Sequence, residues 1–108
     1  MMSDDVLARL AATIRARRAD SAEKSYTRQL LDGGSLRCAK KFGEEAVEAV
    51  IAAAAQSDGE LQAEAADVLY HLLVLLESRG IALATVLDIL EARMAKSGHA
   101  EKAARAKP

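Results

Sequence analysis

The sequence predicts an all-α fold, and three observations carry this prediction. First, 51% of the 108 residues are hydrophobic but only 3% are aromatic, so small and aliphatic side chains must build the core by close helix packing. Second, the chain has one proline and six glycines, which leaves few points where a helix would break. Third, apolar residues recur at helical spacing. We expect about five helices, four-helix-bundle-like, in one domain, 1–96, followed by a basic tail, 97–108.

Capping residues and glycines set the expected helix boundaries. Ser25 is a candidate cap for the second helix, and Gly33-Gly34 would end it. Ser35 is the expected cap of the third helix, which extends to about Ala54. The other predicted helices cover approximately 4–18, 58–78 and 82–96, and the second covers 26–32.

Acidic residues occur where the interior of such a bundle is expected. The fourth helix contains a run from Val68 to Leu76 that is apolar on nearly every side, which is typical of a core helix. At about 100° per residue, one stripe of this helix, roughly 60° wide, carries four polar residues. They are Glu60, Glu64, Asp67 and His71. On the third helix, the acids within an arc of about 100° are Glu44, Glu45 and Glu48.

These two acidic faces can meet inside the bundle. Four or five carboxylates at one seam would repel one another and lose hydration, so either some are protonated or a cation lies among them. Carboxylate oxygens without thiolate or several imidazole ligands suit a hard cation, and Mg²⁺ is the first choice because it also coordinates phosphates. The central hypothesis from the residues is therefore a Mg²⁺ site.

A plainer interpretation stands beside this hypothesis. A solvent-exposed helix face would also carry glutamates at the spacing of Glu44, Glu45 and Glu48. This interpretation suits Glu64 and Asp67 less well, because their helix has little other polar surface. A single histidine among leucines, such as His71, is more often a hydrogen-bonded core residue than a ligand.

Charge and cysteine content exclude several classes of function. A formal net charge of −1 and a pI near 6.1 argue against general nucleic-acid or membrane-surface binding. The single cysteine, Cys38, cannot form an internal disulfide, which favours a cytoplasmic protein. No secretory signal is expected, and the apolar run of the fourth helix is too short to span a bilayer. Because so few helices are available to cover that run, a second copy of the chain could complete the packing.

Two acidic motifs resemble a known signature. Glu44-Glu45-x-x-Glu48 followed by Glu64-x-x-Asp67 resembles the all-α, MazG-like nucleoside triphosphate pyrophosphohydrolase superfamily. Further segments resemble one family within it, the phosphoribosyl-ATP pyrophosphohydrolases, over about residues 5–96. These segments are Ser25-Tyr26-Thr27, Lys40-Lys41-x-Gly43-Glu44-Glu45 and Asp67-x-Leu69-Tyr70-His71-Leu72-Leu73.

The resemblance implies an activity and a ligand set. The activity is Mg²⁺-dependent hydrolysis of phosphoribosyl-ATP to phosphoribosyl-AMP and pyrophosphate, the second step of histidine biosynthesis, in a homodimer of interlocked helices. The implied Mg²⁺ ligands are Glu45, Glu48, Glu64 and Asp67. The catalytic candidates are Glu44, Glu45 and Glu48, with Glu44 or Glu45 accepting the proton of the attacking water.

Three cations next to the acids are candidates for binding substrate phosphates. Arg37, Lys40 and Lys41 could contact phosphate oxygens, or they could pair with the glutamates of their own helix. Two other functions remain open at this point. The chain could be a house-cleaning pyrophosphohydrolase of simple or modified nucleotides, or a non-catalytic helical dimerisation module.

Overall fold

The computed structural model describes residues 4–96, and the regular structure in this range is entirely helical. The five α-helices are α1 (Asp4–Ala16), α2 (Tyr26–Asp32), α3 (Gly34–Ala55), α4 (Asp58–Ser78) and α5 (Leu83–Met94). The all-α prediction is confirmed. The predicted basic tail, 97–108, lies outside the described residues, so the proposed division of the chain after residue 96 stays a prediction.

The first helix ends earlier than expected. A single 3-10 turn, Arg17–Ala19, replaces the last predicted α-helical residues. In this turn the guanidinium of Arg18 reaches the end of α4, where it donates hydrogen bonds to the carboxylate and the backbone carbonyl of Glu77. This contact fixes the start of the loop that leads to α2, because a cation is favoured beside the carbonyls at a helix C-terminus.

The junction of α2 and α3 differs from the prediction at one residue. Ser25 caps α2 as predicted, since its hydroxyl accepts a hydrogen bond from the backbone N–H of Arg28 at 3.1 Å. The prediction that Ser35 caps the third helix is wrong, because α3 already begins at Gly34 and Gly33 is its N-cap. Gly34 has φ +85°, a backbone conformation that only glycine adopts without strain, so the chain changes direction within one residue.

Helices α3 and α4 form an antiparallel hairpin, the most extensive helix contact in the described chain. Gln56 and Ser57 connect them, and a capping box begins α4: the Ser57 hydroxyl accepts from the N–H of Glu60, and the Glu60 carboxylate accepts from the N–H of Ser57, both at 3.1 Å. Because the helices are antiparallel, the middle of α3 faces the first half of α4. The two acidic segments therefore lie opposite each other.

A small core joins the first four helices. Its buried members are Ile14, Leu30, Cys38, Leu73 and Val74. Cys38 donates from its Sγ to the carbonyl of Leu30 at 3.2 Å and acts as a small packing residue in this core.

A large part of the apolar surface of the chain is not covered. Helix α5 has no buried residue, and several large apolar side chains on α3 and α5 are close to half exposed or more. This uncovered apolar surface consists of Val47, Val50, Ile51, Leu87, Leu90 and Met94. Within residues 4–96, no helix is long and apolar enough to cross a membrane.

Candidate active site

Three carboxylates from the α3–α4 hairpin come together as the acidic group of this site. Glu45 of α3 and the pair Glu64 and Asp67 of α4 each offer one oxygen, and these oxygens lie within 4.8 Å of one another. The spacing of Glu64 and Asp67 puts both on the side of α4 that faces α3. Glu45 and Glu64 are partly buried, and Asp67 is exposed. Three of the four predicted metal ligands are therefore neighbours.

The acidic group is electrostatically unfavourable without a cation. Partial loss of hydration, together with the negative charges of Glu48, Asp67, Glu45 and Glu60, raises the pKa of Glu64. A raised carboxyl pKa means that its charged form is less favourable here than in water. A divalent cation among these oxygens would offset the repulsion, so the group has the chemistry of a metal site.

The two other glutamates predicted for the site, Glu44 and Glu48, lie outside the acidic group. Glu48 is exposed and lies outside the group of three, although its charge contributes to the raised pKa of Glu64. Glu44 is also exposed, and its carboxylate lies 3.5 Å from the ammonium of Lys41, which is 3.6 Å from the carboxylate of Glu45. Lys41 thus makes the pairing within its own helix that the sequence left open, and it borders the acidic group.

A cleft lined by cations lies next to the acidic group. Its volume is about 420 Å³, and its lining residues are Tyr26, Gln29, Leu30, Arg37, Lys40, Lys41 and Glu44. All three predicted substrate-binding residues line this one cleft. Among the described side chains, no carboxylate lies within 4.0 Å of the charged groups of Arg37 or Lys40, so their charges are available to an anion.

Aromatic residues form the boundary between the cleft and the core. His71 is 6% exposed, and its ring lies edge-on to those of Tyr70 and Tyr26, with centroids 4.9 and 6.2 Å away. Burial lowers the pKa of His71, which agrees with its interpretation as a core residue. Tyr26, which was not among the site residues predicted from the sequence, is 49% exposed and lines the cleft.

A comparison with protein-family models decides the family. The model described as phosphoribosyl-ATP pyrophosphohydrolase matches residues 7–94, which include every helix that contributes to the acidic group and the cleft. The chain belongs to the phosphoribosyl-ATP pyrophosphohydrolase family. The predicted family and the predicted class of enzyme, a hydrolase of histidine biosynthesis, are confirmed.

Individual members of this family match nearly the whole chain. A phosphoribosyl-ATP pyrophosphatase of Cereibacter sphaeroides is 55% identical over 100 residues, covering 93% of this chain and 97% of its own. Phosphoribosyl-ATP pyrophosphatase 1 of Rhodopseudomonas palustris is 57% identical over 96 residues, with 89% and 90% covered. The phosphoribosyl-ATP pyrophosphatase of Caulobacter vibrioides is 56% identical over 102 residues, with 94% of each chain covered.

Proposed function

We propose that this pyrophosphohydrolase cleaves phosphoribosyl-ATP to phosphoribosyl-AMP and pyrophosphate in the cytoplasm, with Mg²⁺ held by the acidic group. The observation that carries this proposal is the juxtaposition of two oppositely charged features. Oxygens of Glu45, Glu64 and Asp67 lie within 4.8 Å of one another, and a cleft of about 420 Å³ with three cations adjoins them. The metal ion that accompanies the substrate needs the first feature, and the negatively charged phosphate groups of phosphoribosyl-ATP need the second.

The donor set fits Mg²⁺ better than a softer metal. The group offers carboxylate oxygens and no thiolate, and carboxylates are the ligands that Mg²⁺ shares with phosphate oxygens. Glu45, Glu64 and Asp67 would hold the ion, with Glu48 as the fourth ligand from the next turn of α3. When bound, the ion supplies charge neutralisation at the phosphoryl oxygens and the leaving pyrophosphate.

The side chains around the acidic group have distinct roles in this proposal. Lys41 pairs with Glu45 and so holds that carboxylate on the side of α3 that faces α4. Arg37 and Lys40 bind substrate phosphate oxygens through charge-assisted hydrogen bonds. Glu44 lies outside the group of three and is the proposed acceptor of the proton from the attacking water, because its oxygens would not be occupied by the metal ion.

We also propose that the working molecule is a homodimer. The uncovered apolar surface includes Val50, 67% exposed, and Met94, 77% exposed, and an isolated small domain gains little stability from such residues. A second copy would bury them. Replacing Val50 with aspartate costs little in a monomer but would bury a charge in the dimer, so Val50→Asp is expected to convert a dimeric elution profile into a monomeric one. A wild-type chain that elutes as a monomer would contradict the proposal.

Pyrophosphate release from four substrates tests the activity. Phosphoribosyl-ATP, ATP, dCTP and dUTP would be incubated with the protein and Mg²⁺, and again with EDTA. We expect metal-dependent release from phosphoribosyl-ATP and far slower release from the others. Release from the simple nucleotides alone would indicate a house-cleaning enzyme, and no release from any substrate would indicate a non-catalytic helical module.

A further inference from the structure

The segment Ser25-Tyr26-Thr27 contains two buried residues and one, Tyr26, that is half exposed. Ser25 is buried and caps α2, and Thr27 is buried with its hydroxyl 2.5 Å from that of Tyr70 on α4. Both residues therefore anchor α2. The ring of Tyr26 lies edge-on to that of His71, but Tyr26 is half exposed and forms part of the cleft. An exposed tyrosine beside arginine and lysine is a group that a ligand can contact.

The far end of the cleft lies well away from the acidic group. Arg37 precedes Glu45 by eight residues on the uninterrupted helix α3, which corresponds to about 12 Å along the helix axis. That distance exceeds the whole span of a triphosphate, from its first to its last phosphorus. A triphosphate whose metal ion is bound at Glu45, Glu64 and Asp67 would therefore not reach Arg37. Arg37 is then available to bind a different anionic group of the substrate.

The α2–α3 junction provides the space that Arg37 occupies. A Cβ atom built on Gly33 would collide with the side chain of Arg37, so the glycine allows this side chain to lie against the junction. Tyr26 and Gln29 line the same cleft from α2. The amide nitrogen of Gln29 donates to the carbonyl of Ala22 at 2.6 Å and thereby holds the loop before α2 against the helix that carries Tyr26.

We propose that the cleft binds the phosphate of the second ribose of phosphoribosyl-ATP through Arg37 and Lys40 at its far end, and that Tyr26, which lines the same cleft from α2, helps to determine specificity. Arg37 and Lys40 supply positive charge, and the hydroxyl of Tyr26 donates a hydrogen bond to a phosphate oxygen. The inference rests on the proposed function, since ATP lacks this second ribose phosphate. The cleft would then distinguish phosphoribosyl-ATP from ATP, whereas the acidic group would treat their triphosphates alike.

Steady-state kinetics of two variants test this assignment. Arg37→Ala is expected to raise KM for phosphoribosyl-ATP at least about tenfold, with kcat within about twofold of wild type, because a charge-assisted contact outside the reacting phosphates is lost. The inhibition constant of ATP should not change. Tyr26→Phe should shift KM in the same direction by a smaller factor, about threefold to tenfold. Equal losses for phosphoribosyl-ATP and ATP, or an unchanged KM in Arg37→Ala, would overturn the proposal.

Matched controls separate specificity from folding. Arg9→Ala removes an exposed arginine on α1, outside the cleft, and should leave both constants unchanged. Tyr70→Phe removes the partner of Thr27 and should lower the unfolding temperature. Tyr26→Phe should leave that temperature at the wild-type value, and a fall equal to that of Tyr70→Phe would assign Tyr26 a structural role instead.

Binding of ribose 5-phosphate in EDTA provides a readout that needs no turnover. In NMR titrations of the full chain, we expect saturable shifts in α2 and the first turns of α3, retained in Arg9→Ala and lost in Arg37→Ala. If the wild type hydrolyses no substrate but binds ribose 5-phosphate in this way, the proposed function fails and the anion site stands. If ribose 5-phosphate does not bind, or binds equally to Arg37→Ala, the assignment of the cleft is wrong.

Discussion

The acidic group and the cation-lined cleft are neighbours on α3, but their charges are arranged differently. The carboxylates of the acidic group come from two helices and repel one another. This repulsion, together with partial loss of hydration, raises the pKa of Glu64. The cations of the cleft all lie on α3. Among the described side chains, no carboxylate lies within 4.0 Å of the charged groups of two of them, Arg37 and Lys40. Only Lys41 belongs to both, as a lining residue of the cleft and an ion-pair partner of Glu45.

This difference indicates what each region is built to bind. Carboxylates that are held close despite repulsion gain most from a divalent cation, and unpaired cations at a concave surface gain most from an anion. The acidic group should therefore control the chemical step and the cleft should control substrate selection. Variants that affect one region and leave the other intact test this separation.

The largest effect is expected at Glu64. Glu64→Gln removes a carboxylate from the acidic group, so we expect turnover to fall by about 10² to 10³. The same change should raise the unfolding temperature of the metal-free protein, because it relieves the repulsion that raises the pKa of this carboxyl. Enzyme assays and thermal unfolding in EDTA measure the two effects. Asp88→Asn, on exposed α5, is the control that should change neither, and a stable but fully active Glu64→Gln would contradict the role of the acidic group.

Glu48 should show a smaller effect of the same kind. It lies outside the group of three carboxylates but close enough to influence Glu64. If it completes the ligand set, Glu48→Gln lowers turnover by about a hundredfold without loss of helicity, and a higher Mg²⁺ concentration restores part of the activity. Near-normal turnover at all Mg²⁺ concentrations would remove Glu48 from the ligand set.

Gly33 tests the cleft without changing any of its charges. A Cβ at this position collides with the side chain of Arg37, so Gly33→Ala should displace that side chain and raise KM for phosphoribosyl-ATP about threefold to tenfold. Turnover at saturation should stay close to wild type, unlike that of Glu64→Gln. Gly59→Ala is the matched control, because outside its chain neighbours and the nearby helix backbone the nearest atom to its added Cβ is the Oγ of Ser57, 3.8 Å away, an ordinary contact. An unchanged KM in Gly33→Ala would show that the position of the Arg37 side chain does not depend on this glycine.

The smallest effect is expected at Gly43, between the two regions. Apart from its two chain neighbours and the nearby backbone of its own helix, no atom of the described chain lies within 4 Å of a Cβ built at this position, so Gly43→Ala should stabilise α3 by up to about 1 kcal/mol. Urea unfolding at fixed protein concentration measures the change. Lower stability or lower turnover would show that something outside this chain, a second copy or the substrate, approaches the glycine closely.

Much of the fold was predictable because its signals are local. Helical periodicity and the cap at Ser25 set most of the expected helix boundaries, and the acids of α3 and α4 indicated where the helices would meet. Ser35 was assigned wrongly as a cap because the positive φ of Gly34 depends on how α2 and α3 join.

The cleft was less predictable, since it depends on tertiary placement. Arg37, Lys40 and Lys41 were identified from their proximity to the acids along the sequence. The role of Tyr26 could not be separated from that of a core aromatic, because α2 is too short for its periodicity to define an exposed side.

Calorimetric titration of the wild-type protein with Mg²⁺ tests the central claim most directly. It would be run with and without a non-hydrolysable nucleotide, beside Glu64→Gln and the control Asp88→Asn. We predict a saturable binding isotherm for the wild type and Asp88→Asn that Glu64→Gln abolishes or strongly weakens. No binding by the wild type with or without nucleotide, or equal binding by Glu64→Gln, would contradict the assignment of Glu45, Glu64 and Asp67 as the metal site.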